Sequence, residues 1–325
     1  SLSLELGYGL QQDNPSTTSQ VVDGQEQAVL SWGPSELEHR SISLSHDAKW
    51  AFGDSKITAY YNDYDQSQIT ETGPTTQKSK ESIVEGNLNI PFQLGVEHIA
   101  TVGGQWKSEE LINTRNIGLS IPSYDGNEYG SELEGDTWAL FIEDKIIFND
   151  QVHLTLGNRF DHHDKFGTHN SPRAYLVLQP NEVLTVKGGV AQGFRAPSLK
   201  ENTAGAATRS GGNGCTSLKP LGYVSGGCYM AGNADLQPEE STNYEIGFNF
   251  AQNDFDLGLT YFHTDFKNKI EYRALGEING VWWTQYQNAE KARVRGLEAS
   301  VVLPLLDSLS WETNATYYFE SKNLV

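Results

Sequence analysis

Large hydrophobic residues recur at every second position along much of this chain. In Tyr244-Glu245-Ile246-Gly247-Phe248-Asn249-Phe250 four of them fall on one face and polar or small residues on the other, the period of a β-strand. Leu2, Leu4, Leu6, Tyr8 and Leu10 repeat the pattern, as do Val152, Leu154 and Leu156, and Leu184, Val186 and Val190. Phe255, Leu257, Leu259 and Tyr261 continue it, followed by Leu309, Trp311, Ala315, Tyr317 and Phe319. Thirteen strand-like segments can be marked, and the links between them alternate in length. Short joints fall at Phe52-Gly53-Asp54, Pro91 to Gly95, Asn149-Asp150, Pro180-Asn181, Asn253-Asp254 and Pro304 to Ser308; polar excursions cover roughly 11–36, 70–80, 112–133, 165–171, 196–241 and 268–281. Alternate connections of an up-and-down antiparallel sheet lie at opposite ends, so the pattern predicts one tight rim and one elaborate rim.

A soluble β-sandwich alternates too. Strands of about 9–13 residues, however, suit a tilted crossing of hydrocarbon better than the sandwich norm of about 5–6. Tyr8, Tyr61, Trp106, Trp138, Tyr244 and Tyr317 stand toward strand ends, where interfacial girdles sit. The expected fold is all-β, an antiparallel up-and-down transmembrane β-barrel. Composition agrees: the 325 residues are 37% hydrophobic with mean hydropathy −0.50, and no run approaches the ~18 apolar residues of a spanning helix. A barrel escapes that requirement because only alternate residues face lipid. No amphipathic helical segment of useful length is visible.

The net charge of −19, from 42 acids against 23 bases, leaves no basic face for nucleic acid. Acids suit hydrated loops and a wet interior; at the surface they could also bridge divalent cations to anionic lipid headgroups. Cys215 and Cys228, the only cysteines, lie in the longest excursion among Gly211, Gly212, Gly214, Gly222, Gly226 and Gly227. An even count in one flexible loop predicts a disulfide in an oxidising compartment. Cys-x-x-Cys spacing is missing, and two distant thiols do not make a zinc site.

Asp161-His162-His163-Asp164 offers an acid, a base and metal ligands, but adjacent strand residues point to opposite faces. His162 and His163 therefore cannot share a metal or act as a dyad, although Asp161 and His163 share a face. No nucleophile-elbow, zinc-protease or phosphate-loop motif occurs. No enzyme, no metal centre and no bound cofactor are expected.

Gly193-Phe194-Arg195-Ala196-Pro197-Ser198-Leu199-Lys200-Glu201 leaves one strand, and the stretch Gly232-Asn233-Ala234-Asp235-Leu236-Gln237-Pro238-Glu239-Glu240-Ser241-Thr242-Asn243-Tyr244-Glu245-Ile246-Gly247 enters the next. These flanks resemble the barrel of TonB-dependent outer-membrane siderophore receptors. Within that superfamily, Gly227-Cys228-Tyr229-Met230-Ala231-Gly232-Asn233, Gly157-Asn158-Arg159-Phe160-Asp161-His162-His163 and Gln287-Asn288-Ala289-Glu290-Lys291-Ala292-Arg293-Val294-Arg295-Gly296-Leu297-Glu298 resemble the ferric-enterobactin and colicin I receptor group. The resemblance is strong over 134–325 and looser over 1–133. Pro197 and Pro238 lack an N–H and so mark where strand pairing stops, while Asn233 and Asp235 suit backbone-bonded turns.

The resemblance implies a Gram-negative outer-membrane receptor that imports a ferric siderophore, a catecholate such as enterobactin, with energy from a TonB complex. Iron would travel inside the ligand. Residues 1–325 would be part of the barrel domain, about 13 of an expected 22 strands, without the plug domain and C-terminal strands. Outer-membrane lipid and lipopolysaccharide are expected neighbours, and colicin or phage would be incidental users of the same loops. An anionic, aromatic-rimmed ligand calls for Arg or Lys beside Tyr or Trp. Arg209, Lys219, Tyr223 and Tyr229 in the cysteine loop are candidates, with Arg115 and Tyr124 in the 112–133 loop and Tyr272, Arg273, Trp282 and Trp283 around 268–281. Arg195, Glu245, Arg295 and Glu298 are candidate plug-facing charges. The alternatives are a passive pore, or a receptor for haem or cobalamin.

Overall fold

The computed structural model describes residues 1–22, 25–70, 73–118, 124–306 and 308–324. Seventeen strands follow in order: β1 (Leu2–Asp13), β2 (Ser16–Val22), β3 (Gln25–Trp32), β4 (Ser35–Trp50), β5 (Gly53–Thr70), β6 (Gly73–Leu94), β7 (Val96–Asn113), β8 (Glu132–Asn149) and β9 (Val152–His163). Then come β10 (Gly167–Asn181), β11 (Leu184–Arg195), β12 (Ala207–Ser210), β13 (Cys228–Ala231), β14 (Glu239–Gln252), β15 (Phe255–Ile278), β16 (Val281–Leu306) and β17 (Leu309–Leu324). Thirteen of them, β1, β4–β11 and β14–β17, form one continuous antiparallel ladder in which each strand pairs with the next. This is the wall of an up-and-down barrel, open here because β1 and β17 are its two outermost strands.

Register shows which face meets lipid. Residues directly opposite in a ladder share a face, and one lateral row reads Leu4, Leu44, Ala59, Val84, Trp106, Trp138. Farther along the wall another reads Ile146, Leu154, Leu176, Gly188, Ile246, Tyr261, Leu297, Tyr317. These side chains stand open: Leu6 is 69% exposed and Tyr317 67%. Such a continuous apolar surface is stable only against hydrocarbon. Asp144 also falls on this phase, where His98 Nδ1 meets its carboxylate at 2.8 Å, as a charge near lipid requires.

Aromatic girdles bound the band, with Trp50, Phe52 and Phe148 at the tight rim and Trp106, Trp138, Tyr244 and Tyr317 at the other. From Trp138 to Phe148 is about 33 Å along the strand, or roughly 23 Å along the membrane normal at 45° tilt. The opposite phase is polar. Arg159 reaches Asp161 at 2.8 Å and Gln105 at 3.0 Å, and Gln105 reaches Glu85 at 3.1 Å. These bonds line a water-facing wall.

All six short joints are observed between consecutive strands. Three of the six expected excursions are not loops. At 70–80 the ladder continues to the pair Thr70↔Gly73, with 71–72 outside the described residues; at 165–171 the turn shrinks to 164–166; and at 268–281 the strands run on to Ile278↔Val281. Asn279 (φ 54°) and Gly280 (φ 78°) make that last turn, the Asn-Gly chemistry of a two-residue hairpin. Strands are correspondingly longer than expected, up to the 26 residues of β16. Above the bilayer both faces are wet, so the polar residues there extend the strands instead of ending them.

Candidate functional site

Three connections meet above the outer girdle. After β7 the Asn113 side-chain oxygen accepts the N–H groups of Arg115 and Asn116 at 3.2 and 3.0 Å, and Ile117, 1% exposed, forms a bridge with Ala206. After β11 a turn is capped reciprocally: Ser198 N–H donates to Glu201 Oε2 at 2.8 Å and Glu201 N–H to Ser198 Oγ at 3.3 Å, a capping box. The chain then forms the β12–β13 hairpin, with a short 3-10 helix at Asn213–Leu221 in its tip. β13 pairs in parallel with β16, Tyr229 opposite Trp283, which ties the cysteine loop to the tall β15–β16 hairpin. The expected disulfide joins Cys215 to Cys228 and packs with Leu218 and Tyr223 against Ala274 and Trp282. Pairing stops beside Pro197 and Pro238, and Asn233 Oδ1 accepts the Asp235 N–H at 3.0 Å.

Most of the aromatic candidates build this scaffold. Trp283 is 2% exposed, with Tyr124 and Tyr229 centred 6.1 and 5.2 Å from it. Tyr223 lies 5.8 Å from Trp282 and donates its hydroxyl hydrogen to the Gly226 carbonyl. The cations scatter. Lys219 is exposed in the last turn of the 3-10 helix, Arg209 sits on β12 opposite Tyr229, and Arg273 pairs with Glu271 at 3.0 Å. Arg115 donates to Gln68 Oε1 at 2.9 Å.

Beneath the scaffold lies a cluster on the wet face. Arg195 reaches Glu201 at 3.0 Å and pairs through Nε with Glu239, whose other oxygen accepts the Ile270 N–H at 2.6 Å. Tyr272 and Tyr286 pack against each other beside it at a 30° tilt, centroids 4.0 Å apart. Burial, the neighbouring Tyr286 and the Glu201 carboxylate push the Tyr272 phenol well above its ordinary value. Glu245 and Glu298 are also on the wet phase, opposite Gly189 and Thr260. Arg295 is not. It stands opposite His263, which stands opposite Tyr244, so it faces outward, and it pairs with Glu320 at 2.8 Å. Residues 295 and 298 are an odd number apart, and a period of two separates their faces.

Sequence reasoning missed Lys200, which lies inside the Gly193–Glu201 stretch. Burial pushes its ammonium pKa down and the nearby Arg115 guanidinium pushes it further; among the described residues it has no acidic partner. Nothing in the local sequence signals this, because Arg115 arrives from a distant connection. Asp161 pairs with Arg159 instead of His163, and His162 stacks on Trp138 at 5.3 Å on the outer face. Among the described residues no group of three or more His, Cys, Asp or Glu is placed to hold a metal.

The chain matches the family "TonB dependent receptor-like, beta-barrel" over residues 3–324. It is 32% identical over 324 residues to the ferric enterobactin receptor of Pseudomonas aeruginosa, covering 91% of this chain and 43% of that protein, so it spans less than half the relative's length. The crystal structure of the siderophore receptor PirA from P. aeruginosa superposes with TM-score 0.79 at 30% identity over 99% of this chain and 54% of that one. A variant of the P. aeruginosa ferric enterobactin receptor in complex with enterobactin gives TM-score 0.77 at 29% identity, over 99% and 50%. The ladder, the girdles and these likenesses agree: the chain belongs to the TonB-dependent receptor β-barrel family of the Gram-negative outer membrane, whose members are receptors and transporters and not enzymes.

Proposed function

We propose that this chain is the ligand-capturing part of a receptor that imports a ferric catecholate siderophore with energy from a TonB complex. The observation that carries the reading is the half-buried Lys200 on the capped turn, without an ion pair among the described residues, near a wet face that holds the Arg195–Glu201–Glu239 cluster and the Tyr272–Tyr286 pair. A half-buried ammonium without a counter-charge costs free energy that a bound anion would offset. Tyr272 and Tyr286 supply aromatic faces near Glu201 of the Arg195–Glu201–Glu239 cluster, which anchors the turn that carries Lys200. A ferric catecholate is anionic and rimmed by aromatic rings, so it suits cations beside Tyr. The similarity to a ferric enterobactin receptor and a siderophore receptor supports the same class. A plug domain and about nine further strands would complete the transporter, by analogy with 22-stranded barrels.

The test is iron-limited growth of cells that lack their own catecholate receptors and carry the whole receptor gene, fed one siderophore at a time. Rescue by a ferric catecholate, and a drop of about tenfold or more in binding for Lys200→Met with Arg115→Met, support the reading. Rescue only by haem or cobalamin, or uptake that persists without TonB, would replace it with one of the other readings.

A further inference from the structure

Among the described residues the ladder has one seam. Between β10 and β11 the paired register climbs from Asn181↔Leu184 to Arg173↔Ala191 and stops, although β10 extends outward to Gly167 and β11 to Arg195. Each outer end stays paired on its far side, 167–172 with β9 and 192–195 with β14. Every other neighbouring pair keeps its outer register to within a residue of where one of its strands ends. Pro172, the first residue past the break, has no N–H to donate. The break sits at the outer girdle: Ala174, just below it, shares a row with Val190 and Tyr244, and Thr168, above it, shares one with His162 and Trp138. Hydrocarbon does not tolerate an unpaired strand edge. Above the girdle water satisfies the same groups, so this is the lowest level at which the wall can part.

Side chains hold the seam where the backbone does not. Carried on unchanged, the register would set Asn170 opposite Phe194; instead the His169 ring stacks on Phe194, centroids 3.9 Å apart and planes within 11°. His169 Nε2 lies 3.1 Å from the Phe166 carbonyl oxygen, and Nδ1 lies 3.8 Å from Glu240. A cavity of about 590 Å³ opens over the stack, with Asn170 and Gln192, one from each edge, in its lining. The cysteine-loop scaffold straddles the seam. It leaves β11 and returns to β14, yet it is fastened to the other side by Ala207 N–H, which donates to Asn116 O at 2.7 Å. Asn202 adds a second tie: its amide accepts from Lys165 Nζ at 2.9 Å and donates to the Asn233 and Ala234 carbonyls at 3.2 and 3.0 Å.

We propose that the β10–β11 seam is a hinge of the outer rim. The outer ends of the two strands part and rejoin, the His169–Phe194 stack latches the closed form, and the turn that carries Lys200 moves with β11 toward or away from the 113–118 connection. Below Arg173 the wall stays shut. The hinge is a property of the free receptor and does not depend on which ligand the loops capture.

Spin labels at Thr168→Cys and Lys219→Cys of the whole receptor, with the Cys215–Cys228 disulfide left intact, report the distance across the seam by double electron–electron resonance. The labelled receptor is expected to show two distance populations. Phe194→Ala should enrich the longer one about threefold, and Pro172→Val, which restores a donor, should enrich the shorter. Hydrogen exchange gives a second readout: peptides over 167–172 and 192–195 should exchange about tenfold faster than the fully paired outer ends of β6 and β7, at 77–82 and 108–113. Heat-modifiable gel mobility verifies that each variant is folded. A single distance, a distribution that Phe194→Ala leaves unmoved, or seam exchange as slow as that of β6 and β7 would overturn the proposal.

Discussion

Two long excursions leave the same rim and are held in different ways. The one after β1 folds into the β2–β3 hairpin, a two-stranded sheet whose strands, among the described residues, pair with each other and not with the main ladder. Its base is tied to β5 by Gly33 N–H to Ile69 O at 2.9 Å and Ile69 N–H to Pro34 O at 3.2 Å. The excursion after β11 carries a shorter hairpin, four residues a strand, yet it is joined to the ladder through β16, closed by a disulfide and packed around Trp283. A lone two-stranded hairpin is marginal in water. What orders a loop on this rim is docking onto a tall neighbouring hairpin, and strand length matters less.

Breaking the docking should therefore have the largest effect. Trp283→Ala removes the side chain on which the 114–131 and 196–238 connections converge, a cost of about 3–5 kcal/mol to the scaffold. Hydrogen exchange of the folded receptor should show lost protection in β12 and β13 with β7–β9 unchanged; unaltered β12 exchange would mean that the packing is not what holds the loop. Cys215→Ser with Cys228→Ser opens a loop of sequence separation 13 and should cost about 3 kcal/mol, seen as faster proteolysis within 210–228. Gly232→Ala is smaller, about 1–3 kcal/mol. A Cβ there would lie 2.1 Å from the Thr203 carbonyl oxygen, so the capped turn and β13 must part slightly, and ligand affinity should fall with scaffold protection.

Lys200 gives a pH effect of moderate size. Its pKa in the free receptor lies below the ordinary 10.5, and a bound anion raises it, so binding takes up a proton. Affinity for a ferric catecholate should fall as pH rises through the free-receptor value, and Lys200→Met should flatten that part of the profile. A wild-type profile that already matches the variant's would separate Lys200 from the ligand.

The lipid-facing half of the fold was legible because hydrocarbon imposes a period of two: Tyr244, Ile246, Phe248 and Phe250 announce their strand unaided. Above the girdle that pressure ends. Residues 268–278 are polar or mixed on both faces and resemble a loop, although Asn279-Gly280 was a readable hairpin turn. The disulfide was legible from two cysteines in a glycine-rich stretch. The site was only partly legible. Aromatic candidates such as Trp283 and Tyr223 were recognisable as loop residues, but whether a ring faces a ligand or its own scaffold depends on which distant segment covers it. Lys200 is hidden for the same reason, whereas the outward face of Arg295 follows from its odd spacing to Glu298.

The smallest effect expected sharpens the contrast most. Replacing 16–32 by a short glycine-serine link removes both strands of the β2–β3 sheet but spares Gly33 and Pro34, the residues that bond Ile69. No strand of the main ladder loses a hydrogen-bonded partner, because β1 pairs directly with β4 from Leu2↔His46 to Asp13↔Ser35. Closing the connection with fewer residues changes loop entropy by only a few tenths of a kcal/mol. Protection in β12, β13 and β16 should be unchanged within error, and so should affinity for the siderophore. If instead the cysteine loop loosens when 16–32 is cut, the two excursions are coupled above the lumen, and the rim must be treated as one cooperative cap.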